Sequence, residues 1–312
     1  MATVTIKSLL EAGVHFGHQT RRWNPKMANY IFGERDGVHI IDLEQTLGYL
    51  HEAEAAAERA AKDGGIVLFV GTKRQGKDIL RAAAERAGMP YVNERWLGGF
   101  LTNFDTVRTR LDRLKKLREG KEAGQWDRLP KGEQAMLQRE LSRLEMTLGG
   151  VATLDERPAV LFVNDVVREK WAVAEAKKLD IPVIGVVDSN ANPQGITYPI
   201  PGNDDAVSAI SLITETIASA VTKGREAYAK SAKAAKEAAA KEAGSGTPTR
   251  SGEEKPAAAG ADARSSASAS GSSSGSTAPS SGSAAPASAS TEKSTEAKGT
   301  KEAKEAPAKE KA

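Results

Sequence analysis

Three short apolar runs constrain this chain more than anything else in it: Ile66–Val70 (IVLFV), Ala159–Val163 (AVLFV) and Val183–Val187 (VIGVV). A strand with one wet face alternates apolar and polar residues. A run of strand length with no polar residue belongs to a strand covered on both faces, as in a parallel sheet with a helix layer on each side. Helical patterns separate or follow these runs, at Gln75–Ala87 (closed by Gly88), at Val167–Leu179, and from about Asp204 past Val221. Upstream, Leu43–Lys62 reads as a helix stopped by Gly64-Gly65, and Lys7–Ala12 as a shorter one. Val38–Ile41 and Tyr91–Asn93 read as short strands. Gly13–Phe32, with its glycines, Asn24 and Pro25, reads as loop. Buried strands alternating with amphipathic helices predict an α/β fold: a Rossmann- or flavodoxin-like parallel sheet with helices on both faces.

One segment does not fit a strand–helix unit. Val107, Leu111, Leu114 and Leu117 form one stripe, and Leu137, Leu141, Leu144 and Leu148 a second, at intervals of three and four and flanked by Arg and Lys. Such narrow stripes are the seam of a coiled coil, and Gly120, Gly124 and Pro130 between them let the chain turn back. The expected insert is a protruding antiparallel coiled-coil hairpin over 105–148; two ordinary surface helices lying on the core are the alternative. The α/β domain then comprises 1–104 and 149–229.

Of 312 residues, the Val, Ile, Leu and Phe that build a core are concentrated before Ala229. Beyond lies an Ala/Ser/Lys/Glu-rich tail, 230–312, expected to be partly helical to about 243 and then disordered for want of apolar surface. There is no cysteine, hence no disulfide and no thiolate metal site. The amino-terminal MATVTIKSLLEAG has no signal-peptide core, and no stretch reaches the eighteen or so apolar residues that span a bilayer. A cytoplasmic protein without a membrane partner is expected. The formal net charge of +3 is too small to point to a partner, so local clusters of charge matter more than the total.

The most enzyme-like motif is Gly71-Thr-Lys-Arg-Gln-Gly76-Lys77, which follows a buried strand, opens a helix and matches a phosphate-binding loop. With Asp165 at the end of another strand it imitates a nucleoside triphosphatase. Asp78 argues against that reading, because the residue after the lysine should offer magnesium a hydroxyl, and a carboxylate there repels phosphate. The plainer interpretation leaves Lys73, Arg74 and Lys77 facing solvent or RNA. His15 and His18, with His39 further on, could contribute to a zinc site. Without cysteine the other ligands would have to be carboxylates, so a packed loop histidine is the expected state and no cofactor is expected. No Ser-His arrangement suggests a nucleophile. Asp204 and Asp205 precede a helix, where capping is the ordinary use of such a pair.

Basic residues interleaved with flat ones give a different signal. Arg21, Arg22 and Lys26 surround Trp23, Asn24 and Pro25, while Arg95 and Trp96 precede Gly98-Gly99 and Asn103. Cations on phosphates, rings on bases and glycines that admit backbone are how proteins hold RNA. The same residues can also pin a protein's own loops.

These segments resemble a known family. LLEAGVHFGHQTRRWNPKM (Leu9–Met27), VGTKRQ (Val70–Gln75), RWLGGFLTNF (Arg95–Phe104), LEMTLGG (Leu144–Gly150), PAVLFVNDVVREKWAVAEAKKLDIPVI (Pro158–Ile184) and DSNANPQGITYPIPGNDDA (Asp188–Ala206) look like bacterial small-subunit ribosomal protein two, the S-two family. The likeness spans nearly all of the first 225 residues and none of the tail. It implies a structural, non-enzymatic constituent of the small ribosomal subunit, bound to small-subunit rRNA between head and body. It also implies that ribosomal protein one docks beside it among neighbouring subunit proteins, with no small-molecule substrate and no homo-oligomer. Arg21, Arg22, Asn24, Lys26, Lys73, Arg74, Arg95 and Asn103 stand in matching motifs and are the implied rRNA contacts, joined by Trp23 and Trp96 from the residue pattern. Gly76 and Lys77 depart from the family pattern. A nucleotide-binding enzyme and a protein-docking module of the translation machinery are the competing readings.

Overall fold

The computed structural model describes residues 4–244, with side chains to residue 234. The three apolar runs form the centre of a five-stranded parallel sheet: β4 (Val67–Val70), β6 (Val160–Val163) and β7 (Val183–Val187), flanked by β5 (Tyr91–Val92) and β8 (Tyr198–Pro201) in the order β5-β4-β6-β7-β8. This is the flavodoxin-type order, with its topological switch between β4 and β6. Those two strands pair from Val67↔Val160 to Val70↔Val163. Their side chains alternate between two apolar layers. Val67, Phe69, Val160 and Phe162 join Leu50 and Ala53 of α2 (Leu43–Lys62), Leu80 and Ala83 of α3 (Lys77–Ala87), and Ile213 and Ile217 of α7 (Val207–Gly244). Leu68, Val70, Leu161 and Val163 join Ala172 and Ala176 of α6 (Lys170–Lys178) together with Leu111, Leu114 and Leu141 of the insert. Both sheet faces are therefore dry, which is why these strands carry no polar position.

Local signals account for some of the helix ends. Asp42 caps α2 by accepting from Glu44 N at 3.0 Å, and Gly88 closes α3 in the left-handed region at φ 62°. A short α1 (Ile6–Glu11) precedes the sheet. At α7 the expectation needs correction. Asp204 and Asp205 are not the caps; Asn203 Oδ1 accepts from Asp205 N (2.8 Å) and Ala206 N (3.1 Å), and the helix begins at Val207. The two aspartates face the ion cluster described below.

The stretch expected to be loop, Gly13–Phe32, is largely ordered backbone. β1 (Phe16–Gln19) and β2 (Ile31–Arg35) flank β3 (Val38–Ile41) in an antiparallel sheet of order β1-β3-β2, with 3-10 turns at Thr20–Arg22 and Pro25–Tyr30. For β1 the pairing with Val38–Ile41 is non-local and overrides the turn residues, while β2 meets the same strand as a tight hairpin with Arg35 opposite Val38. Strand β8 is a second addition to the expected elements, masked in the sequence by the two prolines of YPIP. Proline is tolerated there because β8 is an edge strand.

Between β5 and β6 the chain forms α4 (Phe104–Glu122) and α5 (Lys131–Leu148), joined through a 3-10 turn at Gln125–Arg128. All four α4 stripe residues are buried; on α5 Leu141 and Leu148 are buried and Leu137 and Leu144 half-buried. Arg113 pairs with Glu140 at 2.9 Å and Arg118 with Glu145 at 3.2 Å. Just past α5, Gly150 lies so close to β5 that an added Cβ would collide with the carbonyl oxygen and ring of Tyr91. The expectation of disorder beyond Gly244 lies outside the described residues. Among the described residues no helix is long and apolar enough to cross a membrane.

Candidate nucleic-acid interface

Loops leaving the carboxyl ends of β4, β6, β7 and β8 converge on a buried ionic cluster. Lys73 Nζ lies 2.7 Å from Asp204, 2.7 Å from Asp205 and 3.4 Å from Asp165, with its side chain only 12 % exposed. His18 joins from the amino-terminal sheet, with Nδ1 3.0 Å from Asp188 and Nε2 3.4 Å from Asp205. Burial opposes the charge on Lys73, but its hydrogen bonds to Asp204 and Asp205 outweigh that and raise its pKa. Burial, reinforced by the neighbouring Asp165 and Asp188, pushes the Asp204 carboxyl up to about 7 against the pull of Lys73. The hydrogen bond to Asp188 raises His18 despite desolvation. The cluster has more carboxylates than cations, so it holds its protons tightly.

This cluster fastens the first basic loop to the sheet. His18 N donates to Ser189 Oγ (2.8 Å), Asn24 N to Ser189 O (2.9 Å), and Lys26 Nζ to Gln194 Oε1 (2.6 Å). Gly17 permits the approach: a Cβ there would meet Ser189 Oγ at 2.8 Å. Asn24 Oδ1 accepts from Lys26 N, turning the chain at Pro25. Arg21 and Arg22 end a 3-10 turn and are exposed, as is Lys26. Trp23, 40 % exposed, leans on His39 with ring centres 5.5 Å apart. A short flexible peptide thus becomes a fixed basic and aromatic surface.

The second loop is held by a residue that no sequence motif singles out. Glu175 on α6 accepts hydrogen bonds from Trp96 Nε1 (3.0 Å), Gly99 N (2.8 Å), Leu101 N (2.9 Å), Thr102 N (3.1 Å) and Thr102 Oγ1 (3.2 Å). Burial pushes Glu175 up, but these donors prevail and its pKa lies below the ordinary glutamate value. Trp96 is therefore a structural ring, 9 % exposed and packed on Phe100. Arg95 is exposed, and so is Asn103, whose Oδ1 accepts from Thr106 Oγ1 at 2.9 Å.

The phosphate-loop look-alike is filled by the chain's own acids. Thr72 donates both its N–H and its hydroxyl to Glu169, Lys73 serves the aspartates, and Lys77 pairs with Glu94 at 2.8 Å. Among the cations of that stretch only Arg74 is exposed. Lys73 does not face solvent, so that part of the sequence expectation is corrected. The two weak metal candidates are not brought together. His18 has ligand atoms within 4.8 Å of those of Asp188 and Asp204, a group to which His15 does not belong. His15 lies against Phe16, its pKa lowered by desolvation. Asp204 already has the Lys73 ammonium as its cation.

The family model described as Ribosomal protein S2 matches residues 9–224. The small ribosomal subunit protein uS2 of Coprothermobacter proteolyticus is 54% identical over 226 residues, covering 72% of this chain and 84% of that protein. The protein of the same description from Nocardia farcinica is 52% identical over 229 residues, covering 73% of this chain and 80% of its own length.

Proposed function

The chain belongs to the ribosomal protein S2 family, structural proteins of the small ribosomal subunit rather than enzymes, and from that premise we propose that it binds small-subunit rRNA through its two fastened loops. The observation that carries this reading is the exposure of Arg21, Arg22, Trp23 and Lys26 on a segment whose backbone is stapled to Ser189 and whose Lys26 side chain is held by Gln194. Pre-set cations on a rigid frame lose little freedom when they meet phosphate. Arg74, Arg95, Asn24 and Asn103 extend the surface. Lys73 and Trp96 shape it from beneath. No bond is made or broken in this role.

Every phosphate that a variant no longer neutralises flattens the salt dependence of binding by about 0.7 to 0.9 log units. Replacing Arg21, Arg22 and Lys26 together should therefore lower the slope of log affinity against log salt by about 2 to 3, measured by filter binding to small-subunit rRNA. An unchanged slope overturns the assignment.

A second observation favours protein docking alongside RNA. Phe32 is 80 % exposed on edge strand β2 and, with Leu10, Phe16 and Ile40, lines an apolar groove. Exposed aromatic groups of this size mark interaction surfaces. The groove is the proposed seat for ribosomal protein one, and Phe32→Ala should reduce its retention on purified subunits. The insert of α4 and α5 is proposed to bridge rRNA elements or neighbouring subunit proteins. Its two leucine stripes support that role. Deleting Thr106–Thr147 should weaken co-migration with small subunits in a lysate gradient. The role is cytoplasmic and ribosome-bound, and it requires no cofactor. Elemental analysis tests the zinc alternative at His18.

A further inference from the structure

At the topological switch between β4 and β6, a pocket of ≈ 650 Å³ is lined by Thr72, Glu94, Arg95, Gly98, Arg168 and Trp171 among others. Doubly wound folds place ligands outside the carboxyl ends of their strands at this crevice, and the volume is within the usual range for such sites. Three observations identify the chemistry it fits. Trp171, in the first turn of α6, is 66 % exposed, and Lys170 Nζ lies 5.6 Å from its ring centre. Arg95 is exposed and has no ion-pair partner among the described residues; Arg168 is exposed and uses its Nε on Thr72 Oγ1, leaving its terminal nitrogens available. The acids of the pocket are already engaged, Glu94 with Lys77 and Glu169 with Thr72. What remains is an exposed indole with Lys170 over its ring and with Arg95 and Arg168 in the same pocket lining, beside the unobstructed backbone of Gly98.

We propose that this pocket receives one unstacked nucleotide of RNA, its base on Trp171 and its phosphate on Arg95 and Arg168. A flat ring beside guanidinium groups is the stacking platform of single-stranded nucleic-acid sites, and it accepts any base because every base has a π face. A peptide's amines would find the pocket's acids engaged, Glu94 by Lys77 and Glu169 by Thr72. The inference rests on the rRNA-binding reading above but concerns a surface away from the Arg21–Lys26 loop.

The test uses the full chain and naked small-subunit rRNA. Trp171→Ala should weaken binding about 5- to 150-fold, the range one base–aromatic stack contributes, while Trp171→Phe keeps most of the affinity. Because the ring is exposed, the urea midpoint of both variants should match that of the parent chain. With a photo-crosslinking phenylalanine analogue at position 171, the adduct in reconstituted subunits should be to rRNA. If Trp171→Ala binds as the parent does, or if the adduct forms with a subunit protein, the pocket assignment is overturned while the Arg21–Lys26 salt slope still stands or falls separately. If the parent chain itself does not bind rRNA, both readings fall.

Discussion

Replacing Lys73 by methionine separates the two roles open to this residue. If Lys73 neutralises the buried acids, its loss leaves Asp204, 2 % exposed, and Asp165, 10 % exposed, without their cation. Breaking a buried pair by removing one partner costs about 3 to 5 kcal/mol. The penalty is limited because Asp204, already pushed up to about 7, can take a proton instead of remaining charged. Proton uptake is easier at low pH, so the loss should be larger at pH 8 than at pH 6, by up to about 1.4 kcal/mol. With a urea m-value of roughly 3 kcal/mol/M, Lys73→Met should lower the midpoint by about 1 to 1.7 M. Equilibrium unfolding of the full chain at both pH values gives the measurement, with rRNA affinity of the folded fraction measured in parallel. A variant with the parent midpoint but a flatter salt slope would refute the argument and return Lys73 to the RNA-facing surface.

The remaining expectations concern neighbouring parts of the same frame. Glu175→Gln keeps the shape of the side chain but sets an amide N–H₂ against backbone donors, including that of fully buried Leu101; about 2 to 4 kcal/mol should be lost, with faster amide exchange at Gly99–Thr102. In the parent chain the Glu175 contribution is present above the unfolded glutamate pKa and lost as pH falls through its lowered folded value, so acid unfolding should begin with exchange in that loop. Asp204 and His18 have raised folded pKa values; their contribution is complete below the unfolded values and is lost as pH rises, through about 7 for Asp204. Urea midpoints should therefore fall between pH 6 and pH 8, and Asp204→Asn should flatten that fall. Gly150→Ala must displace Tyr91, whose carbonyl oxygen and ring occupy the space of the new Cβ, and should destabilise by about 1 to 3 kcal/mol in the same assay.

The parts of this fold legible in the sequence are those set by local pattern. Ile66–Val70 and Ala159–Val163 announce doubly buried strands because both faces of the sheet are dry, and Gly88 announces a helix end because the left-handed cap favours glycine. What the sequence conceals depends on distant partners. Phe16–Gln19 carries turn residues on either side, and only its pairing with Val38–Ile41 makes it a strand. Tyr198–Pro201 is a strand because it pairs with Ile184–Val187, and its prolines are tolerated because its outer edge is unpaired. In the insert, both ion pairs join residues 27 apart, so the pairing advances in the same sense along α4 and α5. A heptad stripe shows which side of each helix is covered, but it does not fix the angle at which two such helices meet.

Residue type was a poorer guide at the site than residue surroundings. Trp96 and Trp171 look alike as sequence, each beside a basic residue, yet Glu175 draws the first inward while the second stands on the open turn of α6. Lys73 and Arg74 are adjacent cations with opposite destinations for the same kind of reason, since three aspartates from β6 and β8 loops claim one and leave the other free. The pattern GxxxxGK survives in the chain, but Glu169 sits on the Thr72 donors that a phosphate would need. A carboxylate built into that position makes the loop self-sufficient: Glu169 occupies the Thr72 donors and holds the loop in shape without a nucleotide. An enzyme using this crevice would have to expel Glu169 and bury a phosphate among Asp78, Asp165 and Asp204. The electrostatics of the cluster oppose that exchange at every step, and two of the loop's cations are already taken, Lys73 by the aspartates and Lys77 by Glu94.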